Sequence, residues 1–252
     1  MIRDVLTPRR LQLLELFRTY PVLTPREALK HVGTSYRNVN YELGALYELR
    51  YLSRKEVFFA NMRGRVGWRY AYGLSKKGSE IVHGRHIAEI RSSSAQHDAE
   101  VSATFTTLSA ALGDRLKLMT GSLRRGAIHP DAVFAICSGE SWYWGMYERE
   151  RNRQSLSKSN AKGLISRIER HVAYRNSVQC EKDWVKFRSY RYFIEIDTGE
   201  LKRNLLRRLA EKGLNYSWIW ITSTPEIRQN ALGKIWNSPK DYRQTSYSLS
   251  DI

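Results

Sequence analysis

The chain has 252 residues, of which 42% are hydrophobic and 12% aromatic, and its 42 Lys plus Arg outweigh 25 Asp plus Glu to leave a net charge of +17. Seven Trp and that apolar share exclude a disordered chain, and no stretch approaches the ~18 apolar residues of a membrane-spanning helix. Residues 1–84 hold fifteen Lys plus Arg against seven Asp plus Glu, and residues 85–252 hold 27 against 18, so the expected partner of both halves is a polyanion.

The length suits two small domains or one large one. Met1-Ile2-Arg3-Asp4 lacks the apolar run of a secretory leader, so a soluble, cytoplasmic protein is expected. Cys137 and Cys180 form no C-x-x-C unit and are expected to be reduced thiols rather than zinc ligands.

Thr7-Pro8 opens a first helix with a capping hydroxyl and proline at the first helical position, and the pattern ends before Pro21. Thr24-Pro25-Arg26-Glu27 repeats the signal in the form of a capping box, and Gly33 stops the second helix. A third helix follows from Ser35 to about Arg50, with Val39, Leu43 and Leu46 at core spacing. Arg37 and Tyr41 fall opposite that stripe, flanked by Asn38 and Asn40. Two helices joined by a glycine turn, with Arg and Asn at the exposed start of the second, fit a recognition helix in the major groove, Arg suiting guanine and Asn adenine. Tyr51–Phe59 and Trp68–Tyr72 then read as two strands around a turn at Arg63–Gly67. Residues 1–84 are thus expected to form a winged helix that binds double-stranded DNA through Ser35, Arg37, Asn38, Asn40, Tyr41, Lys55, Arg63, Arg65 and Arg69.

The pattern changes after the polar break Arg91–Ser94. Asp98–Leu112 reads as an amphipathic helix, Leu116–Met119, Asp131–Cys137 and Ser141–Glu148 as strands, and Ala161–Tyr174 as a helix. Tyr190–Asp197 is a strand, Glu200–Lys212 a basic helix, Tyr216–Thr222 a strand, and Pro225–Trp236 a closing helix.

This order resembles the core of the PD-(D/E)XK nuclease superfamily, which implies an α+β or α/β domain over 95–252, with a mixed sheet flanked by helices. The resemblance assigns Asp131, at the start of one strand, and Glu148, on the next, to a divalent metal, Mg²⁺ or Mn²⁺. Glu150 stands where the family carries a lysine that orients the attacking water, so the implied catalytic set is Asp131, Glu148 and Glu150. Carboxylate oxygens from adjacent strands suit such an ion, and a third acid adds charge without an amine to handle the proton. The chain also resembles the replication-relaxation family of plasmid and mobile-element proteins. It shares a Pro130-Asp131 strand, Glu148-Arg149-Glu150, Asn204-Leu205-Leu206 and the aromatic strand Trp218-Ile219-Trp220.

Alternatives stand beside these assignments. Glu195 and Asp197 form a rival acidic pair, but the 64 residues separating Asp197's partner Glu195 from Asp131 must hold a helix and a hairpin. Glu100 is either an accessory acid or a solvated helix residue, and against Lys162 as a displaced lysine stands the helix wheel, which points it away from Leu164 and Ile168. His97 and His129 have no partners at metal-ligand spacing. Three functions remain open: a DNA-binding accessory protein whose second domain is weakly active or inactive, a Mg²⁺-dependent endonuclease or nickase, and a winged-helix regulator. The aromatic run Trp142-Tyr143-Trp144 suits a homodimer interface as readily as a core.

Overall fold

The computed structural model describes residues 6–60, 66–120, 128–151, 158–183, 190–241 and 245–251. Two compact units emerge, Met1–Ala110 and Ala111–Ile252.

In the first unit, helices α1 (Pro8–Thr19), α2 (Pro25–Val32) and α3 (Tyr36–Glu48) precede an antiparallel hairpin of β1 (Leu52–Ala60) and β2 (Val66–Leu74), and α4 (Lys76–His83) follows. This is the element order expected of a winged helix. The Thr7 hydroxyl caps α1 as its sequence signal predicts. Thr24 does not behave as expected, because its side chain makes no capping bond and Glu27 is buried instead, its carboxyl pushed up by desolvation. Gly33 closes α2 at φ +52°, a left-handed conformation that glycine adopts without strain. Val39, Leu43 and Leu46 are fully buried, and the Arg10 Nε donates to Glu42 at 2.8 Å, which ties α3 to α1.

The helix α5 (Ser92–Leu112) corrects the expected boundary. It starts well before Asp98, and through Ala110 it belongs to the first unit rather than opening the second. Its side chains show why. Ala95 and Ala99 pack with Val22, Val57 and Ala71, Tyr20 and Ser109 share a hydrogen bond of 2.6 Å, and Lys30 donates to Thr107 at 2.8 Å.

The second unit is a five-stranded mixed sheet in the order β3-β4-β5-β6-β7, flanked by helices. Strands β3 (Leu116–Thr120), β4 (Ala132–Ser138) and β5 (Ser141–Glu150) form an antiparallel meander, while β6 (Tyr190–Ile196) and β7 (Ile219–Ser223) run parallel to β5. Crossovers pass through α6 (Lys158–Arg175) with α7 (Val178–Asp183), and through α8 (Gly199–Glu211). Parallel neighbours need such crossovers, so a helix must stand between these strands in sequence. One face packs Met146, Tyr192, Ile194 and Ile221 against Leu164, Ile168, Leu205 and Leu209. The other is aromatic, with Phe193 at 4.9 Å from Phe134 and 5.0 Å from Trp236 between ring centroids. Gly145 lies beneath those rings, where a Cβ would come within 2.6 Å of Phe134 and 2.7 Å of Phe193.

The last helix, α9 (Thr224–Asn230), is shorter than expected. Residues after it turn back instead, with Asn237 bridging Ile221 and Trp236 bridging Tyr247, so Trp236 plugs the aromatic face rather than ending a helix.

Candidate functional site

Two sets of functional side chains were expected, and each lies in its own unit. On α3 the Ser35 hydroxyl caps the helix by accepting from the Asn38 N–H at 3.2 Å, and the Asn38 amide donates to Thr34 at 3.3 Å. Arg37, Asn38, Asn40 and Tyr41 are all exposed, Tyr41 by 62%. The apolar stripe at 39, 43 and 46 is what turns them outward. Lys55 and Arg69 are half-buried and share, by strand alternation, the hairpin face that carries Val57 and Ala71. Arg69 sits in the field of the buried Glu27 carboxyl. Arg63 and Arg65 lie outside the described residues.

In the second unit the ladder sets Asp131 beside the end of β5. Its N–H donates to the Tyr147 carbonyl at 2.9 Å, and its carboxylate accepts the Arg149 N–H at 2.7 Å. Alternation along β5 places Glu148 and Glu150 on the face covered by α6. There the Arg167 guanidinium bridges them, one nitrogen to each carboxylate. Beside this clamp, the buried Tyr192 ring stacks on His171 at 3.8 Å. Burial and the neighbouring Arg170 and Arg167 lower the His171 pKa to about 3, so it is neutral. The Tyr192 hydroxyl is pushed up by burial and by the Glu148 charge and stays protonated.

Glu195 and Asp197 occupy the opposite face, with Arg149. Glu195 is 1% exposed and accepts from the Tyr147 hydroxyl at 2.5 Å and the Thr224 hydroxyl at 2.6 Å. Arg149, itself buried, pairs with Asp197 and lies 3.6 Å from Glu195. The two acidic pairs therefore lie on opposite faces of the sheet.

Arg149 and Arg167 are the residues that the motif reading passed over, and both had signals. Arg149 separates two glutamates on a strand, so alternation sends it to the other side. Arg167 falls between Leu164 and His171 on the buried stripe of α6, where a cation needs an anionic partner. Glu100 accepts from Gln96 at 2.6 Å within the first unit, and His97 contacts Asp98 at 3.4 Å. The Lys162 side chain lies outside the described residues.

The acids do not fit a divalent cation as they stand. Such an ion requires hard oxygens free to converge on it. Here Arg167 already supplies the positive charge between Glu148 and Glu150, and Asp131 is engaged by the Arg149 backbone. Among the described residues no group of three His, Cys, Asp or Glu side chains could hold a metal.

No family model matches the chain, and no curated protein matches it. Among solved structures it is similar to restriction endonuclease FokI, with 12% identity and a TM-score of 0.36 over 97% of this chain and 49% of that one. It is also similar to FokI bound to DNA, with 11% identity and a TM-score of 0.32 over 95% and 48%. The chain spans about half the length of these proteins, and superpositions of that size place no residue. The likeness to the replication-relaxation family rests on its short motifs. No helix among the described residues is long and apolar enough to cross a membrane.

Proposed function

We propose that the chain is a double-stranded DNA-binding accessory protein of a plasmid or mobile element, acting in its replication, relaxation or transfer. The observation that carries this reading is the exposed row Arg37, Asn38, Asn40 and Tyr41 on a capped helix in a basic unit. Arg and Asn offer the bidentate donors and acceptors that read guanine and adenine in the major groove, and a helix is the element that fits there. Residues 1–84 act as the winged helix, with Lys55, Arg63, Arg65 and Arg69 as backbone contacts. The second unit contributes charge and scaffold. Glu148 and Glu150 are bridged by Arg167, and Glu150 stands where the nuclease motif has its lysine, so the unit cleaves DNA weakly or not at all.

Gel-shift titration tests the first half of the reading. Arg37→Ala should cost about 1–3 kcal/mol on a selected site and little on random duplex, whereas Lys55→Ala should weaken all duplexes alike. If Arg37→Ala binds as the parent does, the recognition-helix assignment fails. Incubating supercoiled plasmid with Mg²⁺ tests the second half. Robust nicking that disappears in both Asp131→Ala and Glu148→Ala would make the protein an endonuclease.

A further inference from the structure

One face of the β1–β2 hairpin plays no part in the duplex reading and is built largely of rings. Arg54, Glu56 and Phe58 of β1 alternate onto it with Trp68, Tyr70 and Tyr72 of β2, paired Arg54↔Tyr72, Glu56↔Tyr70 and Phe58↔Trp68. Tyr72 is buried, but Phe58 is 39% exposed, Tyr70 43% and Trp68 69%. Aromatic side chains on a hairpin are normally covered by the rest of their domain, and three neighbouring rings left in solvent need a reason.

The face is held ready rather than loose. Gln96 of α5 completes the outer edge of β1 as a neighbouring strand would, accepting from the Phe58 N–H at 2.5 Å and donating to the Phe58 carbonyl at 2.7 Å. Both backbone groups of Phe58 therefore point away from β2, which makes Phe58↔Trp68 a non-hydrogen-bonded pair, the kind in which side chains approach most closely. Their ring centroids are 5.1 Å apart. On the other side, β2 is fixed by Leu23 through two bonds with Tyr72, of 2.9 and 2.8 Å. Further along the face, the Arg54 guanidinium lies 4.2 Å from the Tyr47 ring centroid and 4.1 Å from that of Tyr70.

Charge and spacing identify the occupant. The face belongs to a strongly basic half of the chain and has Arg54 within it, so a polyanion is favoured. Side chains two residues apart on a strand are about 6.6 Å apart. That is close to twice the 3.4 Å repeat of stacked bases, so roughly one base fits between Tyr70 and Trp68. In a duplex the bases already stack on one another, whereas unpaired bases have free faces to offer to rings. We propose that this hairpin face binds single-stranded DNA, with unpaired bases stacking on Trp68, Phe58 and Tyr70. The inference shares with the duplex reading only the basic charge of this half, and it uses different residues.

The test is fluorescence anisotropy on the full chain with a labelled thymidine oligonucleotide of about fifteen nucleotides and, separately, a random duplex of the same length. Trp68→Ala should weaken single-strand binding roughly five- to a hundred-fold and leave duplex binding almost unchanged. Trp68→Phe should keep most of the affinity, and Glu56→Gln should raise it by removing the one acid on this face. Because Trp68 is largely exposed, the thermal midpoint of Trp68→Ala should match the parent. Unchanged single-strand binding in Trp68→Ala overturns the proposal. So does an equal loss on the duplex, which would make Trp68 a duplex contact. A parent dimer that Trp68→Ala dissociates, seen by light scattering, would show that a second copy covers the rings and would also overturn it. Trp68-dependent single-strand binding in a chain whose duplex affinity ignores Arg37→Ala would support the proposal while removing the duplex reading. Arg37-dependent duplex binding with no effect of Trp68→Ala would do the reverse.

Discussion

In the first unit Arg37 and Tyr41 stand in solvent on a helix whose other face is fully packed, whereas in the second Arg149 and Arg167 are drawn inward onto carboxylates. The two halves of the chain carry similar surpluses of basic residues, so net charge does not separate them. Placement does. An exposed cation keeps its hydration until a polyanion replaces it, and is available for binding. A buried cation must already have its anion, since an uncompensated charge in the interior costs several kcal/mol. The first unit keeps Arg37 in solvent, as the proposed DNA contact requires, whereas Glu148, Glu150 and Asp197 of the second unit meet its own arginines.

Arg149→Ala should break this contrast most severely. It removes the buried guanidinium that pairs with Asp197 and lies 3.6 Å from the buried Glu195 carboxylate, at a cost of about 3–5 kcal/mol in the stability of the second unit, read from urea unfolding by circular dichroism. A loss under about 1 kcal/mol would mean that the acids are neutralised in another way. Arg167→Ala should cost less, about 1–3 kcal/mol, because Arg167 is partly exposed. It also separates the clamp from a concealed metal site. Removing the guanidinium takes the positive charge from between Glu148 and Glu150, so the variant should gain thermal stability with Mg²⁺ while the parent gains none. A parent that is itself raised by Mg²⁺ would show that Arg167 yields to the ion.

The stability of the second unit should also depend on pH through His171. Its folded pKa of about 3 lies below the unfolded value of about 6.5, so between them the unfolded chain binds the extra proton. Stability should therefore fall as pH drops from about 6.5 toward 3, by up to about 1.4 kcal/mol per pH unit from this group. Urea midpoints measured across that range should flatten in His171→Phe, which keeps the stack on Tyr192 but cannot protonate. The smallest effect is expected at the start of α3. Ser35→Ala removes the cap and should cost about 1 kcal/mol. If it loosens duplex binding by more than its stability loss explains, the cap also orients the exposed residues proposed to read the groove.

Much of this was legible in the chain. The helices of the first unit follow from Thr-Pro starts, a glycine stop and the 39, 43, 46 stripe, all of them local signals. The outward position of Arg37, Asn38, Asn40 and Tyr41 follows from the same stripe. In the second unit the order of helices and strands was readable, because each element carries its own periodicity. The end of the chain was not. Pro225–Trp236 has the composition of a helix, yet it breaks at Asn230 because Trp236 is pulled onto the aromatic face, a contact with residues far away in sequence.

By itself the sequence determined the basic surplus, the exposed face of α3 and the alternation that splits Glu148-Arg149-Glu150 between two sides of a sheet. Only the tertiary structure decided what those acids meet. Pairing between side chains 17 to 48 residues apart depends on which helix covers which strand, and no local periodicity records that. The same holds for α5, whose amphipathic pattern shows that it packs but not against what. Its alanines and Gln96 settle it onto the hairpin, and that contact holds the exposed rings of Phe58 and Trp68 in place.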